Sequence, residues 1–155
     1  MNKDIINIRT TPSTNDFAKE LLLNNAELSD ITIIECFEQT NGRGQKGNSW
    51  ESNPGENIIL SIILKPLFLS PSQQFYLSMS VSLSIVHFLN KYIDQVSIKW
   101  PNDIYVGEKK ICGILIENSV DTEKIIHSIV GVGLNVNQET FSQNLQNPTS
   151  MIIET

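Results

Sequence analysis

Glycines alternate with cations in one short stretch of the chain, at residues 42–47. The stretch has the pattern G-x-G-x-x-G and reads Gly42-Arg43-Gly44-Gln45-Lys46-Gly47. Glycine lets the backbone approach a ligand closely, so that successive N–H groups can surround an anion. An arginine in such a loop can bind phosphate through two parallel hydrogen bonds. The stretch therefore predicts a phosphate-binding loop, with a surface loop of scattered charge as the alternative.

Dinucleotide-binding folds share this glycine pattern, but the residues that follow it here do not suit such a fold. In those folds the last glycine opens a helix within a β-α-β unit. Residues 48–55 include Pro54 and Gly55 and cannot begin a helix. A Walker A loop is also excluded, because no Gly-Lys-Ser or Gly-Lys-Thr follows. We therefore expect an anion site of another class.

Two further stretches place charged or amide side chains beside strand-like apolar sequence. The first comprises Lys99-Trp100-Pro101-Asn102-Asp103 and, soon after it, Lys110-Ile111-Cys112-Gly113-Ile114-Leu115-Ile116-Glu117. The second reads Gly131-Val132-Gly133-Leu134-Asn135. A glycine inside a strand marks either a bulge or a close approach to the backbone. Singly these glycines favour bulges, but together with the charged side chains they indicate a ligand site.

Taken together and in this order, the motifs resemble the catalytic domain of the biotin protein ligases. The resemblance covers nearly the whole chain and includes Ser13-Thr14-Asn15, residues 39–44 with Trp50, and the later stretches. Its most specific part is Lys-Trp-Pro-Asn-Asp followed by K-x-x-G-I-L-x-E. The resemblance implies a fold shared with lipoate ligases and with the catalytic domains of class II aminoacyl-tRNA synthetases.

The resemblance implies a two-step reaction with biotin and ATP as substrates. The biotin carboxylate attacks the α-phosphate of ATP, which gives biotinyl-5′-AMP and pyrophosphate. A lysine of a biotin carboxyl carrier domain, such as that of acetyl-CoA carboxylase, then attacks the activated carbonyl and AMP leaves. Because both reactants of the first step are anions, this chemistry needs cations and fixed N–H donors. The alternatives are a lipoate or octanoate ligase or transferase, and a biotin-binding module without catalysis.

The resemblance also implies roles for individual residues. The catalytic residues are Arg43, Lys110 and Asp103, and Lys110 bridges the biotin carboxyl group and the α-phosphate. The implied biotin-binding set is Ser13, Thr14, Asn15, Gln39, Gly42, Arg43, Gly44, Lys110, Gly113 and Ile114. The implied nucleotide-binding set is Arg43, Gln45, Lys46, Trp50, Asn102, Lys110 and Asn135. Mg²⁺ that accompanies ATP is expected near Asp103 and Asn135, without a tightly bound cofactor.

Two features depart from the family pattern. Where the family's loop usually carries a second arginine, this chain has Gln45, so we expect weaker retention of the adenylate. No helix-turn-helix precedes the catalytic motifs, so DNA binding is not implied. Family members usually continue past the position of Thr155, and residues 1–155 are therefore expected to be a catalytic domain that lacks the family's C-terminal part.

Composition and charge limit the classes of partner. With 11 Lys plus Arg against 17 Asp plus Glu, the net charge is -6. This balance argues against nucleic acid, because neutralising its phosphates needs clustered cations. Residues 39–118 nevertheless hold seven cations and six acids, a balance of +1 that leaves -7 for the rest. An acidic chain thus spares its middle from negative charge, as an anion site requires.

The lack of a targeting signal in the sequence and the spacing of its cysteines indicate the compartment of the protein. The chain shows no signal peptide and no apolar run near the roughly 18 residues of a membrane span. We therefore expect a cytoplasmic protein without a membrane partner, and the family allows a homodimer. Cys36 and Cys112 lack C-x-x-C spacing and are expected to be buried, reduced thiols.

Apolar periodicity predicts the elements that position these residues. Helices are predicted over 14–24 and 71–92, the second despite serines that alternate as in a strand. Strands are predicted over 31–37, 57–64, 96–99, 104–106, 110–117 and 125–136, with a loop over 39–56. Because hairpins outnumber crossover helices in this order, we predict an α+β fold: a mainly antiparallel mixed sheet flanked by helices, which pack on one side of it.

Overall fold

In the computed structural model of the protein, residues 3–24 and 27–155 are described and fold around one large sheet. The strands are β1 (Lys3–Thr11), β2 (Ile31–Gln39), β3 (Gly42–Arg43), β4 (Ser49–Trp50), β5 (Asn57–Leu64), β6 (Val96–Lys99), β7 (Asp103–Val106), β8 (Lys109–Val120) and β9 (Ile125–Asn135). The helices are α1 (Thr14–Asn24), α2 (Gln74–Leu89) and α3 (Met151–Glu154), with 3-10 turns at Gln45–Gly47 and Pro71–Gln73. None of the helices in these ranges is long and apolar enough to cross a membrane.

The main sheet has seven strands in the order β1-β2-β5-β9-β8-β7-β6. β1 and β2 are parallel and are joined through α1, whereas every other neighbouring pair is antiparallel. The predicted α+β fold with a mainly antiparallel mixed sheet is therefore confirmed. The sequence patterns do not predict β1, because Asp4, Asn7 and Arg9 interrupt the apolar pattern of this largely exposed edge strand.

The two long helices pack on opposite faces of the sheet. Ala18 of α1 packs in one cluster with Ile129, while Leu77 and Leu89 of α2 pack in another with Val130. Ile129 and Val130 are neighbours on β9, and successive residues of a strand point to opposite faces. The expectation that the helices pack on one side is therefore wrong. The central strands are apolar on both faces, so each face needs its own cover.

The helix predicted over 71–92 is confirmed, as a 3-10 turn followed by α2. Its serines do not break it, because their hydroxyl groups have acceptors: Ser78 Oγ donates to the Pro101 carbonyl oxygen at 3.2 Å, and two others bond within the helix. Ser80 and Ser84 each donate a hydrogen bond to the carbonyl oxygen four residues earlier, at 2.8 and 2.7 Å. Such bonds satisfy a hydroxyl group inside a helix.

The other predicted elements are confirmed within a few residues, with one addition. The expected loop over 39–56 contains a small hairpin, in which β3 pairs with β4 and Gly42 faces Trp50. We refer to residues 42–50 as the glycine hairpin. Both cysteines are free and buried, as predicted, and burial raises the pKa of the Cys112 thiol.

Candidate functional site

A cavity of about 360 Å³, which we call the first cavity, opens on the face of the sheet that carries α1. Its floor includes three glycines of β8 and β9, where Gly113 pairs with Gly133 and Gly131 lies two residues away. A methyl group on Gly113 would lie 2.8 Å from the Trp50 ring, and one on Gly131 would collide with Asn15. These glycines therefore allow α1 and the glycine hairpin to lie directly on the sheet.

The start of α1 supplies one wall of the first cavity. Ser13, Thr14 and Asn15 are all buried there. Ser13 caps the helix, because its hydroxyl oxygen accepts a hydrogen bond from the Asp16 N–H at 3.4 Å. Ser61 of β5 lies below, with its Oγ 2.6 Å from Asn15 Oδ1 and 2.8 Å from Thr14 Oγ1. These bonds fix the polar edge of the wall.

Gln39 ends β2 at the same wall. Its Oε1 accepts hydrogen bonds from the Thr14 backbone N–H at 2.9 Å and from the Thr14 hydroxyl at 3.2 Å. The side-chain amide is thereby oriented at the start of α1, where backbone N–H groups lack partners within the helix. Gln39 lines the first cavity, and its role in binding biotin stays a prediction.

Arg43 of the glycine hairpin lies between two carboxylates. Its guanidinium contacts Asp16 Oδ1 of α1, and its Nη2 lies 3.0 Å from Glu117 Oε1 of β8. Lys19 Nζ shares the same Glu117 oxygen at 2.6 Å. Burial disfavours the charged guanidinium, but the hydrogen bond and charge of Glu117, together with the charge of Asp16, raise the pKa of Arg43. The hairpin is thus bound to the helix and to the sheet.

Lys110 lies where the first cavity adjoins a second cavity, of about 500 Å³. Its Nζ is 2.8 Å from Asp103 Oδ1 and 5.6 Å from the centre of the Trp50 indole. All three side chains line both cavities. A cation therefore stands where anionic groups bound in the two cavities would meet.

Residues 147–149, which we call the clasp, hold the backbone of Lys110. The Lys110 N–H donates to the Asn147 carbonyl oxygen at 2.8 Å, and the Lys110 carbonyl oxygen accepts from the Thr149 N–H at 2.9 Å. The Thr149 carbonyl oxygen also accepts a hydrogen bond from Asn135 Nδ2 at 2.8 Å. The clasp therefore fixes Lys110 and Asn135 relative to each other.

Asn135 lines the second cavity and carries an unpaired side-chain oxygen. The residue is 4% exposed, and its Oδ1 is buried without a hydrogen-bond partner in the ranges 3–24 and 27–155. Buried polar atoms in folded proteins nearly always have a partner. An atom left without one beside a cavity is therefore available to a ligand or a cation.

Most of the predicted site residues lie at these two cavities. The first is lined by Ser13, Thr14, Asn15, Gln39, Arg43, Gly44, Gln45, Trp50, Asn102, Asp103, Lys110, Gly113 and Ile114. The second is lined by Trp50, Asp103, Lys110 and Asn135, together with residues between 141 and 148.

Three predicted residues differ from this arrangement. Gly42 lines neither cavity and instead lies against the Trp50 backbone and the Gln39 amide. Asn102 faces the first cavity only, and its Nδ2 donates to the Ile114 carbonyl oxygen at 2.9 Å, so it also fastens its turn to β8. The side chain of Lys46 lies outside the part of the chain that the structure describes.

Sequence reasoning missed two residues that organise the site. Ser61 is a hydroxyl inside an otherwise apolar stretch of β5, and that interruption was its signal. Glu117 is the last residue of the K-x-x-G-I-L-x-E motif, yet no partner for it can be predicted from the motif. Its partners Arg43 and Lys19 are distant along the chain and meet it only in the folded sheet.

The site consists of two adjoining cavities. A lysine paired with a carboxylate lies between them, an arginine lies above the first and an amide oxygen lies beside the second. Such a site can hold two anionic groups side by side and stabilise negative charge that develops between them. The glycine hairpin partly covers the first cavity and can limit the access of water to it.

The chain is similar to known proteins in both sequence and fold. The model of the biotin/lipoate A/B protein ligase family matches residues 7–135. The bifunctional ligase/repressor BirA of Bacillus spizizenii is 34% identical over 142 residues, which cover 90% of this chain and 42% of that protein. The chain thus spans less than half the length of that curated relative.

Solved structures of similar fold include a biotin protein ligase and a biotin acetyl coenzyme A carboxylase synthetase. The biotin protein ligase of Aquifex aeolicus, solved with biotin and ATP, is 30% identical with a TM-score of 0.79, covering 97% of this chain and 61% of that one. The biotin acetyl coenzyme A carboxylase synthetase of Helicobacter pylori, solved with bound biotinylated ATP, is 28% identical with a TM-score of 0.68. There the coverage is 99% of this chain and 71% of that one.

Proposed function

Because the chain belongs to the biotin/lipoate A/B protein ligase family, we propose that it is the catalytic domain of a biotin protein ligase. In this proposal it activates biotin with ATP as biotinyl-5′-AMP and transfers the biotinyl group to a lysine of a biotin carboxyl carrier domain. The relatives named above support biotin and ATP as the substrates, since one structure holds both.

Lys110 carries this proposal, because it stands where the two cavities meet. With biotin in the first cavity and ATP in the second, the carboxylate and the α-phosphate would approach the same ammonium group. In the first step a carboxylate oxygen bonds to the α-phosphorus while the bond to pyrophosphate breaks. Lys110 would stabilise the negative charge on the shared oxygens during that exchange.

Asp103 and the clasp would keep Lys110 in place for this step. Asp103 Oδ1 holds the ammonium group at 2.8 Å, and the clasp bonds the backbone of Lys110 through its N–H and its carbonyl oxygen. Holding two reactants around one fixed charge turns an encounter in solution into a reaction between bound partners. In the second step the acceptor amine bonds to the activated carbonyl carbon and AMP leaves, and we assign to Asp103 the positioning of that amine.

Mg²⁺ accompanies ATP in this proposal, and the second cavity suits it. The described residues contain no group of three or more His, Cys, Asp or Glu that could hold a metal ion. The unpaired Oδ1 of Asn135 and the carboxylate of Asp103 are oxygen ligands of the kind that Mg²⁺ prefers beside substrate phosphates. When bound there, the ion would neutralise phosphate charge.

The glycine hairpin would retain the intermediate. An acyl-adenylate that is open to water hydrolyses, so its site needs a cover. The hairpin lies over the glycine floor through Trp50, and Arg43 extends from it into the wall of the first cavity. Arg43 would therefore bind the phosphate of the intermediate from the side opposite the sheet.

The test is an activity assay of the 155-residue chain with biotin and Mg-ATP, which follows pyrophosphate release and biotinyl-AMP formation. We expect adenylate formation with biotin and a loss of about 100-fold or more in Lys110→Ala, as for removal of a group that stabilises transition-state charge. Lys109→Ala is the matched control, because Lys109 Nζ lies 3.0 Å from Glu154 Oε1 instead. This variant should retain wild-type activity.

Parallel assays with lipoate and octanoate separate the alternatives. Turnover with either of these acids but not with biotin would contradict the proposal in favour of a lipoate or octanoate enzyme. Binding of biotin without release of pyrophosphate would contradict it in favour of a biotin-binding module.

A further inference from the structure

The two carboxylate oxygens of Glu117 on β8 contact different parts of the site. Its Oε2 accepts a hydrogen bond from Asn15 Nδ2 at 2.8 Å. Its Oε1 lies 3.0 Å from Arg43 Nη2 and 2.6 Å from Lys19 Nζ. Glu117 itself does not line either cavity, so it acts on a ligand only through its neighbours.

The Oε2 side of Glu117 leads to the floor and wall of the first cavity. Asn15 receives a hydrogen bond from Ser61 on its Oδ1 at 2.6 Å and donates from its Nδ2 to Glu117. Both ends of the Asn15 amide are therefore fixed, and this amide lies against Gly131 in the cavity floor. Glu117 thus orients the Asn15 amide together with Ser61 and the Leu115 carbonyl oxygen, which accepts from the same Nδ2 at 3.4 Å.

The Oε1 side of Glu117 leads to the glycine hairpin. Arg43 is the guanidinium in the wall of the first cavity, and an arginine has several N–H donors in a rigid plane. Glu117 and Asp16 bind two of its nitrogens, which fixes the plane and leaves its other donors for an anion. The two acids and the two bases of this cluster also balance in charge.

We propose that Glu117 is a positioning residue that couples the biotin end of the site, through Asn15, to the phosphate end, through Arg43. The role in ligand binding rests on the proposed function. The coupling of Arg43 to Glu117 is a property of the unliganded chain and can be measured without any substrate.

The substrate-free test uses nuclear magnetic resonance of the two arginine side chains. The chain has only Arg9 and Arg43, so the spectrum holds two Nε–H signals, and Arg9 on the edge strand β1 is the internal reference. In the wild type we expect the Arg43 Nε–H to be as rigid as the backbone. In Glu117→Gln the Arg43 Nε–H should become nearly as mobile as that of Arg9, because the neutral amide no longer forms an ion pair with the guanidinium. An Arg43 signal that stays rigid in Glu117→Gln would overturn the proposal.

The ligand test compares Glu117→Gln with Asp16→Asn, since the Asp16 carboxylate contacts Arg43, whereas the Asn15 amide bonds to Glu117, Ser61 and Leu115. Glu117→Gln should weaken biotin binding and also speed the dissociation of biotinyl-AMP, each by about tenfold, the size expected for one hydrogen bond to a charged group. Asp16→Asn should speed adenylate dissociation alone. Glu35→Gln, an exposed acid on β2, should match the wild type in both.

The same measurements in an Arg43→Ala background separate positioning from general damage. There Glu117→Gln should no longer alter adenylate dissociation, while its effect on biotin binding should remain. If Glu117→Gln were equally harmful to adenylate retention with and without Arg43, Glu117 would have only a structural role. A wild-type chain that forms no biotinyl-AMP contradicts the proposed function, and the arginine signals then decide the coupling by themselves.

Discussion

Gln45 stands where the resemblance to the family predicts a second arginine. It lies in the wall of the first cavity, two positions from Arg43. Gln45 can offer an anion a neutral hydrogen bond, whereas an arginine would offer a charged pair of bonds. The cationic side of the cavity is therefore weaker than it would be with an arginine at position 45.

We expect Gln45→Arg to slow the release of biotinyl-AMP by about tenfold, because a charged hydrogen bond to phosphate replaces a neutral one. The measurement is the rate at which preformed biotinyl-AMP leaves the chain. Asn90→Arg, at the exposed end of α2, controls for the added charge and should leave the rate unchanged. Equal rates for Gln45→Arg and the wild type would contradict the expected role of this position.

At the residue scale, the sequence motifs identified the side chains that line the cavities but not those behind them. Lys110, Asp103 and Arg43 belong to motifs that are specific enough to predict a ligand site, and all three line the first cavity. Ser61 and Glu117 act through hydrogen bonds to residues far away along the chain. Apolar periodicity carries no information on such pairs, so they become visible only in the folded sheet.

At the scale of elements, the docking of the glycine hairpin on the sheet depends on two strand positions occupied by glycine, which has no side chain. The Trp50 ring lies against Gly113 of β8 and Gly133 of β9. Any side chain at Gly133 would collide with this ring, and the half-buried indole cannot move far without lifting the hairpin.

We expect Gly133→Ala to destabilise the fold by about 1–3 kcal/mol, the usual cost of overpacking, and to weaken biotin binding. Urea unfolding and biotin titration measure the two effects. In a Trp50→Ala background the added methyl group meets no ring, so Gly133→Ala should cost little there, and this non-additivity is the signature of direct contact. Additive costs of the two substitutions would show that the glycine serves another purpose.

Elements with strong local signals were predictable, and their arrangement was less so. The strands at 57–64 and 125–136 and the helix at 14–24 follow from local pattern and capping. The edge strand β1 carries polar residues and pairs with β2 only through a crossover, which leaves little local signal. The placement of α1 and α2 on opposite faces depends on which residues of β9 each helix covers, and a strand that is apolar on both faces does not reveal this.

At the scale of the whole molecule, one ion cluster joins parts of the chain that are remote in sequence. Asp16 and Lys19 belong to α1, Arg43 to the glycine hairpin and Glu117 to β8. Burial disfavours the Glu117 carboxylate, but hydrogen bonds from Lys19, Asn15 and Arg43 outweigh burial and lower the pKa of Glu117. The charge of Glu117 thus contributes to the stability of the whole fold.

The lowered pKa of Glu117 predicts how that contribution varies with pH. Because the folded pKa lies below the unfolded value of about 4.3, the contribution is complete above that pH and is lost as the pH falls through the folded pKa. We expect the difference in unfolding free energy between the wild type and Glu117→Gln to be constant between about pH 5 and 7 and to shrink below about pH 4. Urea unfolding at each pH measures it. A difference that persists unchanged at pH 3 would rule out this origin.

The clasp has a consequence for the order in which the site comes into being. Chains are synthesised from the amino end and begin to organise as they emerge, so β8 and its Lys110 exist well before the residues that hold them. The backbone bonds from Asn147 and Thr149 to Lys110 can form only when residues 147–149 have been made. The lysine at the junction of the cavities is therefore set in place after its own strand, and a nascent chain that already has its sheet still lacks an aligned site.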